Sequence, residues 1–158
     1  MSVHEDPARE AWELLWRVMQ ANKPRLTALA QEMGLAPMQL HALRLIEPGD
    51  GVPMSSLAEK LFCDASNVTG IVDRLEDRGL VERTTDTTDR RATNAHLTEA
   101  GWDLVVATAP DHVRHVRSRV IDALTPAQVD QLRDITEAIL ARIDPEGAMT
   151  GFYSEAAP

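Results

Sequence analysis

Apolar residues recur at helical spacing along most of the chain, and Gly and Pro residues separate the runs. In the first run, four apolar side chains fall on one helical face: Trp12, Leu15, Trp16 and Met19. We expect Pro24 to kink or interrupt this helix, because proline has no backbone N–H and disfavours helix at the residue before it. The helical pattern resumes after Pro24 and ends at Gly34. A further helix is predicted to begin at Pro37 and to end before the sequence EPGDG.

Two short helical patterns then follow each other closely. The first, SSLAEKLF, places Ser56 and Glu59 at the spacing of a capping box. The second, CDASNVTGIVDRLEDRG, begins with Asp64 as its N-cap and ends at Gly79. Its buried stripe consists of four apolar residues: Val68, Ile71, Val72 and Leu75. Only about three residues separate the two helices, so we expect them to cross steeply, as in a helix-turn-helix.

The remaining patterns predict a hairpin and two more helices. LVERTTD and ATNAHLT form the hairpin strands around a polar turn, TDTTDRR. A long helix from Thr98, bent near Pro110, follows, and a last helix begins at a capping box of Thr125 and Gln128, with Pro126 at its first position. The tail, residues 144–158, has no periodicity. The predicted fold is therefore mainly α with a small β-hairpin, arranged as a winged helix-turn-helix.

Composition narrows the class of protein. A chain of 158 residues is expected to form one domain. No apolar run approaches the ~18 residues of a membrane helix, and the charged start MSVHEDPARE does not look like a secretory signal. The single cysteine, Cys63, cannot form an internal disulfide. These features predict a cytoplasmic protein with no membrane partner.

The net charge of −9 argues, taken alone, against nucleic-acid binding, because phosphate contacts dominate such affinity. The acidic excess is largest in the C-terminal third of the chain. Charges more than about 8–10 Å away are largely screened at physiological salt, so a local cluster of arginines can still bind DNA. Arg90 and Arg91, side by side in the hairpin turn, are such a cluster.

The segment LAEKLFCDASNVTGIVDRLEDRGLVERTTDTTDRRATNAHLTEAG resembles the DNA-binding core of the MarR (multiple antibiotic resistance regulator) family. The most specific part is the succession of VDRLEDRGLVER, DRR and LTEAG. The resemblance implies one MarR-type domain over residues 1–158, with a winged helix-turn-helix at about 35–98 and a loose tail at 144–158. It also implies a homodimer held by helices at about 8–33 and 99–143, each protomer binding half of a palindrome. Pro24 departs from the pattern, since it would lie inside the family's first long helix.

Candidate DNA-binding residues lie on the predicted recognition helix. It begins at Asp64, and its face turned away from the apolar stripe carries small or neutral polar side chains: Ala65, Ser66, Asn67, Thr69 and Gly70. Such side chains suit entry into the major groove, where hydroxyls and amides can bond to base edges. Gly70 costs about 1 kcal/mol in a helix, which a close approach to a backbone, its own or that of DNA, would explain. Arg74 is a candidate phosphate ligand, and the alternative for this whole face is a solvated helix surface.

The predicted wing supplies the remaining candidates. An arginine at a wing tip is attracted to the negative potential of a narrow minor groove or to its phosphates. The resemblance assigns this role to one of Arg90 and Arg91, of which we favour Arg91, and it implies that Asp89 holds the wing through an arginine pair. Arg78 is expected to pair with Glu76 or Asp77.

The sequence leaves several further roles open. The resemblance implies a pocket for an aromatic or phenolic ligand beside Trp12, Trp16 and His41; the alternative is that the tryptophans, with Trp102, form dimer core. Cys63 is either a packed residue or a redox sensor. His112 and His115 have a spacing that can bind metal, or they lie on a solvated face.

The function predicted is a ligand-responsive repressor that binds a palindromic operator in double-stranded DNA as a homodimer. One alternative is a winged helix that docks a protein partner, and another is a redox-sensing regulator based on Cys63. An enzyme using Cys63 with His41 or His96 ranks last, because no orienting residue accompanies them. We predict no catalytic residue, no cofactor and no metal site.

Overall fold

A computed structural model describes residues 6–46, 49, 51–85 and 92–144 of the chain. The chain forms two compact units, Met1–Leu40 and His41–Pro158. The helices are α1 (Pro7–Glu32), α2 (Pro37–Leu45), α3 (Met54–Lys60), α4 (Ala65–Asp77), α5 (Glu99–Val116) and α6 (Pro126–Ile143). The strands are β1 (Val52–Pro53), β2 (Val81–Thr85) and β3 (Thr93–Leu97). No helix in these described ranges is long and apolar enough to cross a membrane.

The first helix is continuous through Pro24. Asp6 caps α1 by accepting a hydrogen bond from the Ala8 N–H at 3.0 Å, and Pro7 occupies the first turn. The helix then runs for 26 residues with Pro24 inside it, so the predicted interruption is wrong. Proline removes one backbone hydrogen bond at a cost of about 3 kcal/mol. The helical turns on both sides persist and outweigh that local cost.

The helix-turn-helix is formed by α3 and α4, as predicted. Their contact buries Leu57 of α3 and three residues of the predicted stripe in α4: Val68, Val72 and Leu75. The capping box predicted for Ser56 and Glu59 is absent, because α3 already begins at Met54 and its N-cap is Pro53, which has no side-chain hydrogen bond. Ser56 therefore lies within the first turn, not before it.

The wing contains a third strand that the sequence pattern did not predict. The sheet is antiparallel with the order β1-β3-β2. Val52 of β1 pairs with Ala95, and Ala95 pairs on its other side with Arg83 of β2. The short strand β1 therefore attaches the start of α3 to the hairpin. The hairpin turn that carries Asp89, Arg90 and Arg91 lies outside the described residues.

The C-terminal helices begin at side-chain caps. The Thr98 hydroxyl accepts a hydrogen bond from the Gly101 N–H at 3.1 Å and donates one to the Gly79 carbonyl at 2.6 Å. Thr125 and Gln128 form the predicted capping box of α6. The preceding helix is continuous through Pro110, but its α-helical part ends at Val116 and a π-helical turn, Arg117–Ile121, follows.

Candidate nucleic-acid interface

Asp64 caps the recognition helix α4 and organises its first turn. Its carboxylate accepts hydrogen bonds from the Ser66 hydroxyl at 2.6 Å, the Asn67 backbone N–H at 2.8 Å and the Asn67 side-chain amide at 3.2 Å. The Ser66 hydroxyl and the Asn67 N–H lower the pKa of Asp64, because both bonds favour the charged form. The side chain predicted to face DNA is thus the cap that starts the recognition helix.

Three predicted base-reading side chains are exposed but already make hydrogen bonds in the free protein. Ser66 and Asn67 each donate to Asp64, as described above. The Thr69 hydroxyl donates to the Ala65 carbonyl at 2.7 Å. The Ser66 and Thr69 oxygens can still accept hydrogen bonds, the Asn67 amide can both donate and accept, and Thr69 presents its methyl group. The face is therefore preorganised and retains the capacity to bond to base edges.

No packing contact within the described protein explains why position 70 is a glycine. A Cβ added there would meet no heavy atom within 4 Å outside its own helical turns. Arg74, on the same helix, is exposed, and its guanidinium has no ion-pair partner within the described residues. Both positions are therefore open toward the solvent.

Arg83, which the sequence pattern did not single out, joins the wing to α4. Its guanidinium forms ion pairs with Asp73 at 2.7 Å and with Glu76 at 2.6 Å. It also donates to the Thr69 carbonyl at 3.2 Å, and its backbone N–H donates to the Glu76 carboxylate at 3.3 Å. A signal was present in the sequence: Asp73 and Glu76 share one helical face, and Arg83 follows soon after the intervening turn.

A cleft of about 440 Å³ lies where α3, α4 and the wing meet. Its lining combines a guanidinium, hydroxyls and a few apolar groups: Pro53, Met54, Ser55, Thr69, Arg83, Ala92 and Thr93. Thr69 comes from the recognition helix, while Arg83 and Thr93 come from the two strands of the hairpin. The cleft is therefore lined by residues of both elements that are predicted to enter DNA grooves.

The residues predicted to bind a small ligand do not line this cleft. Trp12 and Trp16 lie in the first unit and are 59% and 50% exposed, and His41 begins the second unit. Burial lowers the pKa of His41, and the nearby Arg44 lowers it further, so the imidazole is neutral at pH 7. A ligand site at these three residues remains a prediction.

Cys63 is partly exposed in the turn between α3 and α4. Among the residues that the structure describes, no three histidine, cysteine or acidic side chains group so that they could hold a metal ion. The side chain of His112 lies outside that description, so the pairing predicted with His115 stays a prediction.

Comparisons with known proteins agree on one family. The MarR family profile matches residues 35–93. The HTH-type transcriptional repressor MdtR of Bacillus subtilis (strain 168) is 29% identical over 77% of this chain and 78% of its own length.

Two solved structures resemble nearly the whole chain. Sco3205, a MarR family transcriptional regulator from Streptomyces coelicolor solved in complex with DNA, is 27% identical with a TM-score of 0.75, covering 92% of this chain and 95% of that one. CouR from Rhodococcus jostii RHA1, bound to p-coumaroyl-CoA, is 28% identical with a TM-score of 0.71, covering 95% and 99%. Residues 35–93 thus match the MarR family model, and the chain is similar to MarR family transcriptional regulators over most of its length.

Proposed function

We propose that the protein is a cytoplasmic repressor that binds a palindromic DNA operator as a homodimer and is released by a small aromatic or phenolic ligand. The observation that carries the DNA-binding role is the open polar face of α4, which lies next to the wing and lines a cleft together with it. A helix and a wing side by side can enter two adjacent grooves of a duplex.

The cleft matches the surface of a DNA duplex. If α4 enters the major groove and the wing reaches the adjacent minor groove, one sugar-phosphate strand must pass between them. Ser55 and Thr93 line that path, and their hydroxyls can donate hydrogen bonds to phosphate oxygens. Sco3205 was solved with DNA, which supports the same role for this chain.

The acidity of the chain sets a condition on this role. The attraction must come from a few local cations, of which Arg74 is exposed and Arg90 and Arg91 belong to the wing turn by sequence. Replacing Arg90 or Arg91 by Ala should weaken binding to all sequences and reduce the salt slope by about one unit for each phosphate that a subunit no longer binds. Replacing Asn67 or Thr69 should instead relax the preference at particular base pairs.

The proposed homodimer rests on apolar faces exposed in both units. On α1, the predicted stripe is at least 42% exposed at every position: Trp12, Leu15, Trp16 and Met19. On α6, four apolar residues are at least 43% exposed: Ile135, Ile139, Leu140 and Ile143. Contiguous exposed apolar faces of this kind are typical of protein interfaces. A second copy related by a two-fold axis would cover them and place two recognition helices about one DNA turn apart.

The proposed ligand response rests on Trp12, Trp16 and His41. CouR binds p-coumaroyl-CoA, an aromatic acyl ligand, which supports an aromatic or phenolic ligand for this chain. A ligand weakens operator binding only if it prefers the dimer geometry in which the recognition helices do not fit the operator. An unchanged tryptophan fluorescence and an unchanged operator affinity across a panel of phenolic acids would contradict this part of the proposal.

The DNA-binding role is tested by selecting bound sequences from random duplex DNA and measuring their mobility shift. We expect an enriched inverted repeat that binds more tightly than scrambled DNA of the same composition. If no sequence is enriched at any salt concentration, the alternative of a winged helix that docks a protein partner moves ahead. An affinity that depends on the oxidation state of Cys63 would favour a redox-sensing regulator.

A further inference from the structure

One residue of β2, Arg83, contacts α4 at several points. Its guanidinium reaches the Asp73 and Glu76 carboxylates and the Thr69 carbonyl, and its backbone N–H reaches Glu76 again. Thr69, Asp73 and Glu76 are spaced i, i+4, i+7, so they follow one face of α4 over two turns. An arginine that contacts a helix at several points along its length restrains both the distance and the angle between that helix and its own strand.

We propose that Arg83 is a positioning residue that sets the wing relative to the recognition helix, so that both can enter adjacent DNA grooves. This inference rests on the DNA-binding role proposed above. The guanidinium of Arg83 pairs with two carboxylates. Two pairs restrain the orientation of the guanidinium plane, whereas a single pair would leave it free to rotate. Because both terminal nitrogens of Arg83 are already bonded to α4, its effect on DNA is transmitted through the position of the wing.

A second arginine of the chain shows why this contact differs from an ordinary surface ion pair. Arg133 also pairs with two carboxylates, Asp130 at 3.2 Å and Asp134 at 3.3 Å. Its side chain is 60% exposed, whereas that of Arg83 is 22% exposed. All three residues of the Arg133 cluster lie on α6, so these pairs restrain nothing beyond their own helix. Exposed ion pairs of that kind contribute little to the stability of the folded protein.

The test separates position from charge by means of a charge-matched double variant. Arg83, Asp73 and Glu76 together carry one positive and two negative charges, and Arg83→Met with Asp73→Asn leaves one negative charge, the same net value. Glu76 keeps its bond to the backbone of residue 83 in this variant. Arg133→Met with Asp130→Asn makes the same change in the control cluster on α6. Thermal unfolding and sedimentation establish that each variant is folded and associates as the parent does.

The readout is the preference of the wing for a narrow minor groove. Operators selected by the parent are prepared in two forms that differ only in the base pairs flanking each half-site, either an A·T run or G·C pairs. The parent should prefer the A·T form by roughly fivefold or more, the effect of about one base-pair mismatch. The Arg83 double variant should lose most of that preference, to roughly twofold or less, while the Arg133 control keeps it.

Several outcomes would overturn the inference. An Arg83 double variant with the parent's flank preference shows that the contact between Arg83 and α4 does not set the wing. A control that loses the preference equally shows an effect that is not specific to this contact. A parent that binds its operator without any flank preference also contradicts it. If the double variant does not fold, Arg83→Lys decides, because it keeps the charge but lacks the guanidinium fork that holds Asp73, Glu76 and the Thr69 carbonyl together; an unchanged preference then refutes the inference. A parent that binds no selected sequence refutes the proposed function itself, and the inference falls with it.

Discussion

Phe62 occupies a backbone conformation that suits glycine better than phenylalanine. It lies in the turn between α3 and α4 with φ of 51°, and its side chain is 76% exposed. The left-handed region costs a residue with a Cβ about 1–2 kcal/mol. Because the ring buries little surface, the turn carries this strain without an offsetting gain from packing.

We expect Phe62→Gly to raise the free energy of unfolding, by up to about 1 kcal/mol after the greater flexibility of the unfolded chain is counted. Phe62→Ala is the matched control, because it removes the ring and keeps the strained Cβ; it should give no such gain. Urea denaturation of the two variants and the parent measures both effects. Equal stability of the glycine and alanine variants would show that the turn is not strained.

The depressed pKa of His41 predicts a loss of stability in mild acid. Burial and Arg44 hold the folded pKa below the ordinary value of 6.5. At pH values above 6.5 the imidazole is mainly neutral in both the folded and the unfolded chain, so it does not change the free energy of unfolding. As the pH falls below it, the unfolded chain binds a proton that the folded protein resists, so the free energy of unfolding decreases. His41→Gln should flatten this dependence in urea titrations between about pH 7.5 and 5.5, a range above the ordinary carboxylate pKa values. An identical slope in parent and variant would rule out this role.

Within the helices, two glycines have opposite surroundings, so replacing each by alanine should change the stability of the protein in opposite directions. At Gly70 an added Cβ meets open space, whereas at Gly101 it would collide with the Leu80 carbonyl oxygen, beside the capped start of α5. Gly70→Ala should therefore stabilise the protein by up to about 1 kcal/mol, the difference in helix propensity. Gly101→Ala should destabilise it, because a backbone atom has to move.

Operator binding distinguishes the two glycines further. If α4 approaches the DNA backbone closely at Gly70, Gly70→Ala weakens operator affinity although the protein is more stable. Denaturation and mobility-shift measurements on the same preparations check this opposition. A Gly70→Ala variant that gains stability and binds its operator as the parent does would show that the glycine has no role at the interface.

The elements also show which features could be predicted from the sequence. The caps at Asp64 and Thr125 were predicted because a cap is a local pattern of three or four residues. The strand β1 was not, because two residues carry no alternation and form a strand only by pairing with β3, over forty residues away. The interruption predicted as one outcome at Pro24 was wrong for a related reason: the stability of a long helix depends on all its turns, while the effect expected of a proline concerns one residue.

The predicted interface depended on the same distinction between local and distant contacts. Polar residues on the open face of α4 could be identified from helical periodicity alone. The link between Arg83 and its two carboxylates needs the wing to fold back on α4, and no periodicity encodes that return. The exposed side chains of α4 could therefore be predicted from the sequence, whereas the role of Arg83 in joining β2 to α4 could not.

For the whole molecule, the proposed homodimer makes a direct prediction about α6. Ile135, Ile139 and Ile143 are spaced four residues apart and are all exposed in the single chain. Ile139→Lys places a charge in the middle of this stripe, and burying it against a second copy would be costly. We expect a substantial monomer fraction in sedimentation at micromolar concentration and a loss of operator binding.

Glu137→Lys on the same helix is the control, because it alters charge at an exposed polar position outside the apolar stripe. It should remain dimeric. A dimer that survives Ile139→Lys unchanged would place the contact between copies elsewhere and remove the role proposed for this face of α6.

The edges of the small sheet bear on how copies of this protein meet. An open strand edge invites a strand from another molecule and is a route to aggregation. On one side the sheet ends in β1, two residues long, where Pro53 has no N–H to offer. On the other side the Arg83 N–H of β2 is already bonded to the Glu76 carboxylate. With both edges obstructed, strand addition at the wing is disfavoured, which is consistent with the proposed association through the exposed helical faces and with a wing left free for DNA.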